Sequence, residues 1–250
     1  MNRLEGRVAI VTGAGQGLGR ALALGLAQEG AAVLIAEVKP DTAAAVQQEL
    51  AAAGYKALAV PTDVSSEESV NNMTHRCLAE FGRVDILVNN AGIFPHSDVE
   101  EMAEEEWDRV IGTNLVGCFL CARAVVPNFI KQGKGRIISI ASGLGLKGSA
   151  DGAHYASTKA GIIGFTKSLA LELARHGITA NAICPGMTDT EQPRARLTSE
   201  QLYAIGKRFP LGRIGQPEDL VGPVTFLASD AAGFVTGQTI ICDGGASLMQ

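Results

Sequence analysis

Tyr155 and Lys159 stand four residues apart in the stretch YASTK, with only Ala156, Ser157 and Thr158 between them. On a helix that spacing puts a phenol and an ammonium one turn apart on the same face, where both can act on one bound group. A free phenol has a pKa of about 10, too high for a base near neutrality. An ammonium about 6 Å away, at an effective dielectric near 20, favours the phenolate by roughly 3 kcal/mol, which brings the pair toward proton exchange at working pH. Ser142, just past an apolar run and thirteen residues before the tyrosine, is a third candidate catalytic side chain.

A second constellation lies near the N-terminus. VTGAGQGLGR joins an apolar run to a helical pattern, with Gly13, Gly17 and Gly19 spaced G-x3-G-x-G and Gly15 extra. The glycines of this turn let backbone N–H groups approach a pyrophosphate at the positive end of the following helix, with Gln16 and Leu18 between them. Glu37, twenty residues past Gly17 and at the end of the next apolar run, is placed to accept hydrogen bonds from an adenosine ribose. Its charge repels a 2′-phosphate and favours NAD over NADP, which the nearby Lys39 only partly offsets. Asp63, with Val64 beside it, is a candidate for an adenine pocket; a helix-capping role is the competing reading.

Short β-branched runs alternate with helical patterns along the whole chain. Strands are expected at 7–12, 31–37, 56–61, 85–90, 135–142, 178–184 and 238–243. Helices are expected at 17–30, 41–54, 66–82, 104–126 and 153–177. Near-continuous apolar strands between amphipathic helices predict an α/β fold, a doubly wound parallel sheet with helices on both faces, and residues 1–250 as one domain. Ligands in such sheets sit beyond the carboxyl ends of the strands. TGAGQGLG, NNAG, the loop after Ser142 and PGMTDT all follow strands, so four loops converge on one edge. The stretch 190–219 breaks the rhythm with prolines and charges, and is expected to form a lid, centred on about 187–213.

The chain has 46% hydrophobic residues, enough for a large core, and no apolar run approaches the roughly 18 residues of a membrane span. With no secretory signal pattern at its start, the expected location is the cytoplasm. A formal charge of −5 without a basic cluster disfavours nucleic acid and anionic membranes as partners. Of five cysteines only Cys118 and Cys121 are close, and no histidine stands at metal-like spacing, so no metal is expected and the thiols read as structural. His154, next to Tyr155, invites a Ser–His hydrolase. There is no G-x-S-x-G elbow, and adjacent helical residues point about 100° apart, so His154 is expected to face away from the centre Tyr155 serves.

These motifs together resemble the short-chain dehydrogenase/reductase family: TGAGQGLG, NNAG at 89–92, Asn114, Ser142, Tyr155-x3-Lys159 and PGMTDT occur in the family's order over nearly the whole chain. The resemblance implies a Rossmann-like fold and hydride transfer between an alcohol carbon and nicotinamide. It assigns Tyr155 the proton transfer, and Lys159 both ribose binding and tuning of the phenol. Ser142 would hydrogen-bond the substrate oxygen, and Asn114 would hold a relay water at a local break in its helix. Asn90, Ala91 and Gly92 would lie against the cofactor, as would Pro185, Gly186 and Thr188 of the PGMTDT segment; Thr190 would meet the carboxamide. Family members of this length are commonly homotetramers.

The resulting expectation is an NAD-dependent oxidoreductase interconverting a secondary alcohol and a ketone. An NADPH-dependent 3-oxoacyl-[acyl-carrier-protein] reductase is the alternative, and a non-catalytic cofactor sensor on the same fold a third reading that the intact Ser142, Tyr155 and Lys159 disfavour. Substrate walls are expected from Ile93, Phe94 and His96, from 143–152, and from Met187 onward. Phe94, Leu144, Leu146, Met187, Tyr203 and Phe209 form a candidate apolar lining. Arg194 and Arg196 are candidates for an acidic substrate or, alternatively, solvated charges.

Overall fold

A computed structural model describes residues 2–249. Seven strands, β1 (Val8–Thr12), β2 (Ala32–Glu37), β3 (Ala57–Pro61), β4 (Ile86–Asn89), β5 (Gly135–Ile140), β6 (Ile178–Pro185) and β7 (Thr239–Cys242), form one sheet. The order is β3-β2-β1-β4-β5-β6-β7, and each neighbouring pair is parallel. Chain direction across the sheet reverses between β1 and β4, the switch point where a crevice opens beyond the strand ends. Thr12, Glu37, Asn89, Ile140 and Pro185 all end strands at that edge.

Both faces are covered, as continuous apolar strands require. Val11, Val33, Val88 and Ile138 pack with α1 (Gly17–Gln28), α2 (Pro40–Ala52) and α10 (Val221–Ala228) on one side. Their neighbours Ile10, Leu34, Leu87 and Ile137 pack with α3 (Glu67–Phe81), α5 (Gly117–Gln132) and α7 (Ala153–Leu173) on the other. The period-2 alternation of strand side chains accounts for this division.

Departures from expectation have local causes. The helix expected over 104–126 is α4 (Glu104–Ile111), a π-helical segment Gly112–Val116 and α5 in one run, and it passes Pro127 to end at Gly133, whose φ of 65° terminates it. A proline there removes one N–H but does not stop a helix packed against a sheet. The resulting 29-residue rod, Glu104–Gln132, is long and apolar enough by length and composition to cross a membrane, contrary to the expectation from sequence. In the fold, Cys121, Val125 and Phe129 on this rod are buried against the sheet. α10 lies outside the helices expected from sequence; Gly222 and Pro223 are poor helix formers in isolation, yet Pro223 occupies the first turn, where its missing N–H costs nothing. The segment expected to form a lid holds α8 (Glu191–Arg194) and α9 (Ser199–Arg208), and α6 (Leu144–Lys147) follows Ser142.

The cysteines are core residues, four of them buried, with Cys242 partly exposed. Burial pushes the Cys77 thiol up to about 12 and the Cys118 thiol up to about 11. Thiolate is the reactive form. The native chain is therefore expected to react with a disulfide reagent at no more than one thiol, and at all five after denaturation; rapid native reaction of two or more would contradict this packing.

Candidate active site

The turn between β1 and α1 is held against the loop after β4. Thr12 Oγ accepts from the N–H groups of Asn90 and Ala91, at 3.0 Å each. Asn90 Nδ2 donates to the carbonyls of Thr12 at 2.9 Å and Gly13 at 3.1 Å. Gly13 has φ 62°, and a β-carbon there would stand 2.8 Å from Ala91 Cα; one on Gly19 would collide with the Gly13 carbonyl. This close approach is what the glycine spacing serves. Gln16 precedes α1 without capping it by its side chain, and no acid lies in the first turn. The free N–H groups of that turn therefore face a cleft of about 400 Å³ lined by Gly15, Gln16, Gly17, Thr190 and Arg194. Leu18 packs into the core beneath.

Glu37 closes this turn from the side. Its carboxylate accepts from the N–H of Gly15 at 3.1 Å and of Lys39 at 3.2 Å. Asp63 is exposed and accepts from the N–H of Ser65 at 2.9 Å and its hydroxyl at 2.6 Å. It does not cap α3: Ser66 does, accepting from Ser69 N–H. Val64 is buried against Gly117.

Around Tyr155 the residues named from sequence do converge. Lys159 is 4% exposed, and its ammonium donates to the Ile140 carbonyl at 2.7 Å while standing 5.4 Å from the centre of the Tyr155 ring. A buried ammonium satisfied by a strand-end carbonyl is held in place. Ser142 Oγ accepts from Leu144 N–H at 3.1 Å, so its own proton is available to another acceptor. Asn114 is fully buried in the π-helical segment, which is the helix break the resemblance implied. Its amide accepts from Ile93 N–H at 2.8 Å, donates to Ile93 O at 2.9 Å, and reaches Thr158 Oγ at 3.3 Å. Its side chain is thus committed to fixing the loop after β4. That loop's Phe94 stacks on Tyr155, ring centres 3.9 Å apart and 13° from parallel.

The segment expected to form a lid is tied down by ion pairs of the arginines that are candidates for substrate contacts or solvated charges. Arg196 donates to Asp151 at 3.0 Å, and His96 Nδ1 lies 3.1 Å from the same carboxylate, so all three expected substrate walls meet at Asp151. The Arg196 guanidinium, with His96 helping, holds the Asp151 carboxyl below the usual carboxylate range. Arg194 pairs with Asp189 at 2.6 Å. Pro185 and Gly186 leave β6 at the site edge, Thr188 donates to the Gly186 carbonyl at 3.1 Å and bridges to Gly215, and Thr190 with Glu191 lies over Gly17. Among the expected apolar lining residues, Phe94 is at the tyrosine, whereas Leu146 and Tyr203 are exposed. Thr12, Asp151 and Phe94's stacking are the features sequence alone did not single out; their partners are distant in the chain.

A glycine turn at a helix N-terminus, an acid ending the second strand, and a phenol–ammonium pair whose ammonium is held at the end of β5, two residues before Ser142, define a dinucleotide-dependent oxidoreductase site on a doubly wound sheet. Comparison with known proteins agrees. A family model described as enoyl-(acyl carrier protein) reductase matches residues 13–247. A 3-oxoacyl-[acyl-carrier-protein] reductase of Synechocystis sp. is 44% identical, covering 98% of each chain. The (2S)-[(R)-hydroxy(phenyl)methyl]succinyl-CoA dehydrogenase subunit BbsD of Thauera aromatica is 38% identical over 98% of each. The crystal structure of a putative gluconate dehydrogenase from Agrobacterium tumefaciens superposes with a TM-score of 0.94 at 40% identity, covering 99% of this chain and 98% of that one. The chain belongs to the short-chain dehydrogenase/reductase family, oxidoreductases that act on CH–OH groups with a nicotinamide cofactor.

Proposed function

We propose that this protein interconverts a 3-oxoacyl thioester and the corresponding 3-hydroxyacyl thioester, with NAD(H) as its cofactor and Tyr155 as the proton donor and acceptor. The observation that carries the chemistry is the buried Lys159 ammonium fixed 5.4 Å from the Tyr155 ring. The substrate class rests on the two relatives whose names specify acyl thioesters, an acyl-carrier-protein and a coenzyme A derivative. They support the thioester alternative better than a general secondary alcohol.

The residues fit a nicotinamide dinucleotide. The uncapped start of α1 beside the 400 Å³ cleft suits a pyrophosphate, with Gly13, Gln16, Gly17, Leu18 and Gly19 around it. Glu37 would take the adenosine ribose, Asp63 and Val64 the adenine, and Asn90, Ala91 and Gly92 the inner face. Tyr155 and Lys159 would hold the second ribose, and Pro185, Gly186, Thr188 and Thr190 the carboxamide end. When bound, the nicotinamide supplies or takes the hydride. Ser142 donates a hydrogen bond to the substrate oxygen, Tyr155 gives that oxygen a proton in the reducing direction, and the Lys159 ammonium stabilises the negative charge left on the phenol. Asn114 fixes the loop carrying Phe94 with its side chain, which leaves its main chain to take part in returning the proton through water.

Reduction of acetoacetyl-CoA, followed by nicotinamide absorbance with NADH and NADPH at equal concentration, tests the proposal, with simple secondary alcohols and NAD as the comparison. A Glu37 carboxylate against a 2′-phosphate is expected to disfavour NADPH by roughly 3 kcal/mol, or about a hundredfold. Glu37→Gln removes the charge and keeps one carbonyl acceptor, enough for the N–H of Gly15 or of Lys39 but not both, and is expected to recover much of the NADPH activity. A strong NADPH preference in the native protein would overturn the cofactor assignment, and turnover of alcohols but not thioesters the substrate assignment. We also propose a homotetramer, supported by Val116 at the end of the π-helical segment, Phe119 on α5, Leu171 on α7 and Leu248 near the C-terminus, all exposed.

A further inference from the structure

His154 has no solvent exposure and takes no part in the chemistry proposed above. It sits at the start of α7, whose N-cap is Gly152, a residue with no side chain to cap the first N–H groups. The first four N–H groups of a helix, counted from the N-cap, have no partner within it. One of these belongs to Tyr155, and it donates to His154 Nδ1 at 2.8 Å. An N–H can only donate, so Nδ1 is unprotonated and the ring proton is on Nε2. Nε2 lies 3.2 Å from Glu106 Oε1 on α4, and the same oxygen accepts from Ser97 Oγ at 2.6 Å. Ser97 belongs to the loop that presents Phe94, and its own N–H donates to the Asp151 carbonyl at 3.0 Å.

The backbone of Tyr155 is thus capped by the residue before it, and that cap is anchored by a carboxylate that also holds the loop whose Phe94 stacks on the Tyr155 ring. We propose that His154 is a positioning residue for the Tyr155 phenol, fixing the helix turn beneath it and, through Glu106 and Ser97, the aromatic surface above it. A leucine of similar bulk would fill the same buried space but satisfy none of these groups. The proposal rests on the assignment of proton transfer to Tyr155.

The test uses His154→Leu and His154→Asn in the full-length protein. Asparagine keeps an acceptor near the Nδ1 position and loses the reach to Glu106. Readouts are kcat and KM for acetoacetyl-CoA, the Kd for NADH, and hydrogen exchange of the Tyr155 amide by NMR. His154→Leu is expected to lower kcat about tenfold, as the loss of a helix cap at a reacting group implies, with the NADH Kd unchanged and the Tyr155 amide exchanging faster. His154→Asn is expected to restore amide protection and most of kcat. Unchanged kcat in His154→Leu, or restored protection without any recovery of kcat, would overturn the proposal. If His154→Leu does not fold, Glu106 gives the same test: Glu106→Leu should lose several-fold more kcat than Glu106→Gln, and equal values refute the tether. Tyr155→Phe run beside them separates the two ideas: an active Tyr155→Phe sinks the proton-transfer assignment, whereas an inactive one beside a fully active His154→Leu sinks only this inference.

Discussion

Tyr155→Phe is expected to lower kcat by about a thousandfold, within the 10²–10⁴ range for a general acid, while NADH still binds, weakened by no more than the loss of one ribose hydrogen bond. The reason is geometric. Phenylalanine keeps the ring that stacks on Phe94 at 3.9 Å and keeps the backbone N–H that His154 accepts, so the surrounding structure has no cause to rearrange. Only the oxygen is removed. Ser142 cannot take over, because a hydroxyl with no base of its own can hydrogen-bond a substrate oxygen but is a poor proton source near neutrality. Stopped-flow reduction of acetoacetyl-CoA, with NADH binding followed by fluorescence, checks both halves. More than a tenth of native turnover would refute the role of the phenol.

Lys159→Met is expected to have the second largest effect, because it removes two functions at once. The ammonium is buried, so the charge it holds beside the phenol is weakly screened, and among the described residues no other cation lies over the Tyr155 ring. Its loss should cost about a hundredfold in kcat through the charge left unstabilised on the phenol, and about tenfold in NADH affinity through the lost ribose contact. Methionine matches the length of the stem, but the Ile140 carbonyl loses the 2.7 Å hydrogen bond it receives. An orphaned buried acceptor costs about 1–3 kcal/mol, and for a chain of this size each kcal/mol lowers Tm by roughly 2–4 °C. Kinetics, binding and a thermal melt on one preparation give all three numbers. A variant that is destabilised but keeps native kcat would show the lysine to be only structural.

What could be read from the sequence divides along physical lines. The strand–helix alternation, the edge where the loops meet, and the Tyr155, Lys159, Ser142 and Glu37 positions follow from local signals, namely apolar runs, a glycine turn and i,i+4 spacing, and these do not depend on where the rest of the chain goes. The expected facing of His154 away from the substrate side also follows from helical geometry alone. The misses depend on pairings across the fold. Asp151 as the meeting point of Arg196 and His96, Phe94 stacked on Tyr155, and Glu106 receiving both Ser97 and His154 join residues tens of positions apart, and no period in the sequence reports them. The end of the helix at Gln132 and the helix over Val221–Ala228 were misread for another reason: proline and glycine are strong punctuation in isolation, and packing against the sheet overrides them.

The central claim concerns where one oxygen points. A crystal structure with NAD and an unreactive 3-oxoacyl thioester analogue measures it directly. The account predicts Tyr155 Oη and Ser142 Oγ both within about 2.6–3.2 Å of the analogue's 3-oxygen, with the reacting carbon over the nicotinamide ring. A phenolic oxygen turned away from that carbonyl, or a thioester seated away from Tyr155 and Ser142, would contradict it.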